Sequence, residues 1–200
     1  MNKLKVKKVQ IEMMQDRGYN ITNDEKKILT LDTTLRKNIK KYKDFNFNQS
    51  YIKNNNSLYI YYIIDDNLLE NFKQFVDDML LYDEGIIIGT TDEEINKKKY
   101  QSIFNKISFK PIQTFTYEDL SFNVTHNINY NQHMIIDKSS IIPFIAHIDE
   151  LPKILLNDPI SRYFGFQVGD VIKIIRHYDN INLLNQDDIG YRVVVNHNYQ

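Results

Sequence analysis

Apolar residues recur along this chain in two rhythms, one helical and one extended. Over residues 3–18, Leu4, Val6, Val9, Met13 and Met14 share one helical face, with Lys5, Lys7, Lys8 and Glu12 outside it and Gly18 as a stop. Thr22 or Asn23 is placed to cap a second helix, Asp24 to Tyr42, with Ile28, Leu31, Leu35 and Ile39 as a buried stripe. Residues 44–57 read as a polar, Asn-rich loop, and Asn54-Asn55-Asn56 is too short for a prion-like tract. Leu58 to Ile64 is a continuous apolar run, expected as a buried strand. A helix follows from Asn67 to Leu81, carrying Leu68, Leu69, Phe72, Phe75, Val76, Met79 and Leu80 on its apolar face. Ile86-Ile87-Ile88, within Gly85 to Gly89, is the next strand. Thr90 or Thr91 caps a helix from Asp92 to Asn105, whose acidic start suits the helix dipole. Ile107 to Phe115 is a third strand region, interrupted by Pro111. A helical turn at Tyr117 to Leu120 leads to a fourth strand, Phe122 to Thr125. Strands alternating with helices predict an α/β domain with a largely buried sheet.

The last third changes character. A boundary near Tyr130 divides the chain into domains 1–130 and 131–200, the second small and α+β. His133 to Ile136 is a short strand, and Ser139 or Ser140 caps a weak helix, Ile141 to Ala146. The most structured stretch is Asp158 to Arg176, DPISRYFGFQVGDVIKIIR. It opens with the turn Asn157-Asp158-Pro159 and continues with an aromatic-rich segment, Ile160 to Phe164. Gly165 breaks that segment, and Gly169-Asp170 breaks the chain again before the β-branched strand Val171 to Arg176. Tyr191 to Val195 is a closing strand. This stretch holds no nucleophile beside a base, no paired carboxylates and no ligand cluster. It reads as a piece built to hold a shape and to be held by a neighbour.

Charge and composition narrow the functional classes. The net charge is -1, against a globally basic nucleic-acid binder but compatible with a local basic patch. There is no Cys, so no disulfide and no Cys-based metal site. The longest apolar runs are too short to span a bilayer, and the N-terminus lacks an apolar signal core. The five His (His126, His133, His147, His177, His197) show neither i, i+4 spacing nor an adjacent Glu, so no zinc site is expected. No glycine-rich phosphate motif occurs, and no cofactor is expected. Glu25-x-Lys27 and Asp24-x-Lys26 have the spacing of a Mg²⁺ nuclease motif, but both fall at a helix start. Asp83 and Glu84 precede the Ile86 strand with no Lys two residues on.

The stretch from Asp158 resembles the fifth common subunit of eukaryotic-type DNA-dependent RNA polymerases, a family with an archaeal counterpart. The matching positions are Asp158, Pro159, Arg162, Tyr163, Phe164, Gly165, Gly169, Val171, Ile172, Lys173, Ile174 and Arg176. Leu151-Pro152 lies upstream and Tyr191-Arg192-Val193-Val194 closes the chain as in that family. Asp16-Arg17-Gly18-Tyr19 matches the end of the family's first helix, a Thr-Leu pair its second, and Asn123, Thr125 and His133 its inter-domain segment. Three places depart from the pattern. Asn131 stands for a usual Pro, Thr90-Thr91-Asp92-Glu93 for a Thr-Pro-Ser-Ala loop, and 177–189 is longer and more acidic than the family's hairpin loop.

The resemblance implies a restriction-endonuclease-like N-terminal jaw domain and a C-terminal assembly domain docked on the largest polymerase subunit. It implies an interface at Asp158, Pro159, Arg162, Tyr163, Gly165, Gly169, Lys173 and Arg176. Lys97, Lys98 and Lys99 are the candidates for weak, non-specific contact with downstream double-stranded DNA. No membrane, small-molecule substrate or catalytic role is implied. The rival readings are a stand-alone nuclease-fold enzyme and an adaptor on a host polymerase. A cellular version would work in the nucleus. Ile and Asn are unusually common, a bias an AT-rich genome would produce, and this AT-rich composition with the altered loops favours a large-DNA-virus version, working in the host cytoplasm and carried in the virion.

Overall fold

The computed structural model describes residues 2–42, 47–137, 139, 148–176 and 188–196. The expected helix over Ile141 to Ala146, His147, His177, His197 and the loop over 177–187 lie outside them. The chain divides into two units, Met1–Asn123 and Val124–Gln200. The division falls N-terminal of Tyr130 because a 3-10 turn, Val124–His126, packs with a helix of the second unit.

In the first unit a four-stranded sheet runs in the order β1 (Gln49–Lys53), β2 (Asn56–Tyr62), β3 (Glu84–Ile88), β4 (Ile112–Phe115). β1 is antiparallel to β2, and β2, β3 and β4 are parallel. Alternation sends Tyr59, Tyr61, Ile63 and Ile87 to one face, where Phe72, Phe75, Val76 and Met79 of α4 (Leu68–Met79) and Tyr100 of α6 (Lys98–Phe104) cover them. The other face meets α1 (Lys3–Asp16), where the Tyr62 hydroxyl donates to Gln10 Oε1 at 3.3 Å. The sheet is thus sandwiched between helices, as expected of parallel strands. Asn67 caps α4, accepting from the Glu70 N–H, and the Lys110 ammonium donates to the Met79 and Tyr82 carbonyls at its far end. At the end of β3, Gly89 has φ 107°, and an added Cβ would lie 3.2 Å from the Ile63 carbonyl oxygen. Gly89→Ala is therefore expected to destabilise this unit by about 1–3 kcal/mol in denaturant titration, through backbone strain.

Several expectations need correction. The helix over Asp24 to Tyr42 is two helices, α2 (Asn23–Leu29) and α3 (Arg36–Lys41). Asp32 Oδ1 accepts from the Thr34 N–H at 2.8 Å and its hydroxyl at 2.6 Å, a local bond that competes with the helix ladder. Of the expected stripe only Ile28 is buried, and Leu35 and Ile39 are exposed. The supposed loop 44–57 contains β1, turned onto β2 by Asn54 and Asn55 at φ 51° and 64°. Both positions are left-handed, the condition of a tight two-residue hairpin turn. The helix over Asp92 to Asn105 is broken into α5 (Asp92–Ile95) and α6, because Lys97 is extended at ψ 137°. Phe122 to Thr125 is not a strand. Thr116 and Asp119 close a reciprocal turn after β4 that takes the chain off the sheet edge, and Asn123 donates to Glu12 Oε2 at 2.9 Å.

Lys7 is the largest departure. Expected on the solvated side of α1, it is wholly buried. Its ammonium donates to Gln10 Oε1 at 2.7 Å, Gln49 Oε1 at 3.0 Å and the Phe47 carbonyl at 3.1 Å. Burial pushes its pKa down to about 7, opposed by the nearby Glu25 carboxylate.

The second unit holds a four-stranded sheet in the order β5 (Gln132–Ile136), β7 (Val171–Arg176), β8 (Asp188–Val195), β6 (Lys153–Leu155). β5–β7 and β7–β8 are antiparallel, and β8–β6 is parallel. Its core is Ile154, Phe166, Ile172, Ile174 and Val194, with Ile160 and Phe164 of α7 (Pro159–Phe164) packed on it.

A candidate assembly surface in the C-terminal unit

Asp158, Pro159 and Gly165 fix the ends of α7. The Asp158 carboxylate accepts from the Ile160 N–H at 2.8 Å, and Pro159 occupies the first helical position, where its missing N–H leaves nothing unpaired. Gly165 at φ 70° closes the helix, with Gly165 N–H donating to the Arg162 carbonyl at 3.2 Å and Phe166 N–H to the Ser161 carbonyl at 3.0 Å. This pair of bonds is a Schellman closure, which needs a residue comfortable in the left-handed region. It turns Phe166 into the core, stacked on Phe164 with centroids 5.5 Å apart. Gly169 at φ 89° makes the second turn. Its N–H donates to the Val194 carbonyl at 2.8 Å, and the Val194 N–H returns to Asp170 at 2.9 Å. Three of the eight candidates thus shape α7 and a fourth the turn that ties it to β8.

The remaining four differ in exposure. Tyr163 is buried, its ring edge-on to Phe164 at 5.2 Å. Arg162 is half-buried in the last turn of α7. Lys173 is half-buried at the centre of β7, opposite Met134 of β5 and Tyr191 of β8. Arg176 ends β7 and pairs with Asp188 at 2.8 Å. Lys173 and Arg176 lie on opposite faces, since three residues apart on a strand is an odd spacing. Arg176 shares the face of Ile172 and Ile174, and Lys173 shares that of Val171 and Ile175. On the Lys173 face, Met134, Ile189 and Leu155 are partly exposed, giving an apolar field with a cation inside it.

Two residues that the sequence marked only as family matches join this surface: His133, from β5, feels the charges of Asp158, Arg176 and Arg192 of β8. Burial lowers the His133 pKa from its ordinary value, while a contact with the Asn131 carbonyl at 2.5 Å and the Asp158 carboxylate oppose that shift. The pairing of β5 with β7 brings His133 there, and only the sheet order could have revealed it.

The other candidates lie in the N-terminal unit. Lys97 is bonded to Glu94 across one turn, Lys98 is exposed, and the Lys99 ammonium sits 4.4 Å from the centroid of the Tyr100 ring. Glu25, half of the nuclease-like spacing, is buried. It accepts from the Thr22 N–H at 2.7 Å in a capping box and from the Tyr51 hydroxyl. Asp24 pairs with Lys27 at 2.7 Å in solvent. Both carboxylates belong to the start of α2 and not to a strand.

The family described as RNA polymerase Rpb5, C-terminal domain, matches residues 122–194, a span that takes in all four strands of the second sheet and α7. The subunit rpabc1 of DNA-directed RNA polymerases I, II and III from Dictyostelium discoideum is 25% identical over 183 residues, covering 86% of this chain and 89% of that protein. Residues 122–194 thus carry the Rpb5 C-terminal domain, and the chain along most of its length is similar to RNA polymerase subunits of that type. RPABC1 of Caenorhabditis elegans is 24% identical and covers 96% of this chain and 94% of its own length. The DNA-directed RNA polymerase subunit 5-like protein 1 of Arabidopsis thaliana is 32% identical, over 32% of this chain and 33% of its own. Members of the Rpb5 family are non-catalytic polymerase subunits, so the place of this chain is in transcription. All eight candidate interface residues fall inside the Rpb5 C-terminal match. Lys97 to Lys99 fall outside it, within the span that the two full-length relatives cover.

Proposed function

We propose that this chain is anchored in its polymerase by the C-terminal unit, docked on the largest subunit. The N-terminal unit extends as part of the jaw beside downstream DNA. The observation that carries the anchor is the Lys173 face, where a cation stands among the partly exposed Met134, Ile189 and Leu155. A partly exposed apolar field that includes a Met suits the core of a subunit interface, with Lys173 as a single cation in it. The two glycine turns and the Asp158 cap hold α7 against the opposite face of the same sheet.

Contact with DNA rests on Lys97, Lys98 and Lys99. Glu94 pairs with Lys97, and Asp92 and Glu93 stand beside it on α5, so that contact is weak, non-specific and salt-sensitive. The two domains of the reading meet near Tyr130. For a cellular polymerase the location is the nucleus. For a large-DNA-virus polymerase, favoured by the AT-rich composition, it is the host cytoplasm and the virion. The nuclease reading fares worse, since Glu25 is tied into a cap and Asp24 into an ion pair.

The test is co-purification of tagged variants from the native setting. Lys173→Glu and Arg162→Ala, one reversing charge in the apolar field and one trimming a half-buried side chain, are expected to lower recovery of the largest subunit by about tenfold each. That fold-change matches about 1.4 kcal/mol of lost interface energy. Stoichiometric recovery with both variants would overturn the proposed anchor.

A further inference from the structure

We propose that α3 and the turn before it form a second nucleic-acid-facing surface, one that grips the phosphodiester backbone of a duplex without reading its sequence. Four of the six residues of α3 are cationic, in a chain whose net charge is -1: Arg36, Lys37, Lys40 and Lys41. All four are exposed, and among the described residues no carboxylate lies within ion-pair distance of any of them. Asp32, four residues before Arg36, is held by the Thr34 N–H and hydroxyl at 2.8 and 2.6 Å, and Asp44, three residues past Lys41, lies outside the described residues.

The helix is poorly supported by its own chain. It buries no residue and its N-cap, Leu35, makes no side-chain bond. Arg36 and Lys40, and Lys37 and Lys41, are like-charge pairs one turn apart, an arrangement that disfavours a helix. Arg36 and Lys37 also place charge of the wrong sign at its start. Asn38 Nδ2 ties α3 to the Asp32 carbonyl at 2.8 Å, and the turn before the helix is held by α1 and its cap. Asn2 Nδ2 donates to the Thr33 carbonyl at 2.6 Å, and the Lys8 ammonium to the Leu31 carbonyl at 3.4 Å. A feature that breaks local rules while its surroundings position it is a mark of function. A polyanion laid along the two rows would turn both repulsive pairs into shared contacts.

A duplex backbone fits better than an acidic peptide. Two adjacent rows of cations supply spaced point charges, which is all that phosphate binding requires. A docked peptide needs apolar anchors in a groove, and Leu35 and Ile39 offer only partly sunken side chains at 43% and 37% exposure. The surface is also separate from Lys97 to Lys99. α3 leads into β1, one edge of the sheet, whereas α5 and α6 connect β3 to the opposite edge strand, β4. It therefore does not depend on the jaw contact proposed above.

The experiment measures binding of the full-length chain to a fluorescently labelled random-sequence DNA duplex, by anisotropy, between about 50 and about 200 mM salt. The Arg36→Gln/Lys37→Gln/Lys40→Gln/Lys41→Gln variant is expected to bind about tenfold or more weakly at the low-salt end. The slope of log affinity against log salt is expected to fall by about 2–4, near 0.9 for each phosphate no longer neutralised. The Lys37→Gln/Lys41→Gln variant, removing one row, should lose about half of that slope and keeps the test readable if the fourfold change disturbs α3. Wild-type affinity and slope in both variants would overturn the proposal, as would no measurable duplex binding by the wild type. So would polyglutamate competing as well as the duplex at equal charge. A Lys97→Gln/Lys98→Gln/Lys99→Gln variant in the same titration separates this surface from the jaw contact.

Discussion

Folding stability of the N-terminal unit is expected to rise between pH 7 and pH 9, and Lys7→Met is expected to abolish that rise. The Lys7 ammonium is buried against two amide oxygens and one carbonyl, with no carboxylate bonded to it directly. Its folded pKa is about 7 against 10.5 for the free side chain. Between those values the unfolded chain holds a proton that the folded chain has lost. Stability therefore climbs with pH, by on the order of 1 kcal/mol per pH unit. Below about pH 7 both states carry the proton and the dependence on this group vanishes. Met keeps the bulk but cannot donate, so Gln10, Gln49 and the Phe47 carbonyl lose a partner at about 1–3 kcal/mol for each group left unsatisfied. The loss should be larger at pH 9 than at pH 6, because the wild type at low pH already bears the penalty of a buried charge. Tyr51 and Tyr62, whose hydroxyls burial pushes to higher pKa, titrate above this window. Denaturant titrations of both proteins across pH 6–9 check the prediction, and parallel curves would contradict it.

The second large effect separates folding from assembly within the Rpb5 motif. Tyr163→Ala is expected to destabilise the C-terminal unit by about 3–5 kcal/mol, the usual cost of deleting a buried aromatic ring. The ring is only 2% exposed and packs edge-on to Phe164, which in turn stacks on Phe166 in the core. Detachment of a Tyr163→Ala variant from the polymerase would therefore report unfolding. Arg162, half-buried on the same helix, reports the interface instead. Protease resistance of the C-terminal unit distinguishes the two. Tyr163→Ala should be cleaved readily and Arg162→Ala should resist like the wild type. Equal resistance in both would mean that Tyr163 serves docking rather than packing.

Where local chemistry and tertiary packing agree, the chain could be read directly. The Phe72, Phe75, Val76, Met79 stripe and the Ile86-Ile87-Ile88 strand appear as expected, because a three- or four-residue period and a pure β-branched run each admit one solution. The Asp158 to Arg176 stretch was legible for the same reason: a cap, two left-handed glycines and a β-branched strand. Illegible features depended on partners distant in sequence. Tyr51 is the only buried residue of β1, so no alternation marked that strand, and Asn54-Asn55 looked like loop rather than hairpin turn. Lys7 sits in register with Leu4, Ile11 and Met14, but a cation there read as a solvated face until Gln10, Gln49 and Phe47 were seen around it. Within the assembly surface the residues were legible but their orientation was not. Lys173 and Arg176 look alike in sequence, and β-strand parity sends them to opposite faces, one into the apolar field and one to Asp188.

The most direct test is the composition of the complex around this chain. The full-length chain, tagged and expressed in its native setting, is to be recovered under mild salt and its partners quantified by mass spectrometry. The expected result is recovery of the two largest subunits of a DNA-directed RNA polymerase in near-equal amounts with it. Recovery of the chain alone, with no polymerase subunit above background, would contradict its place as a polymerase subunit.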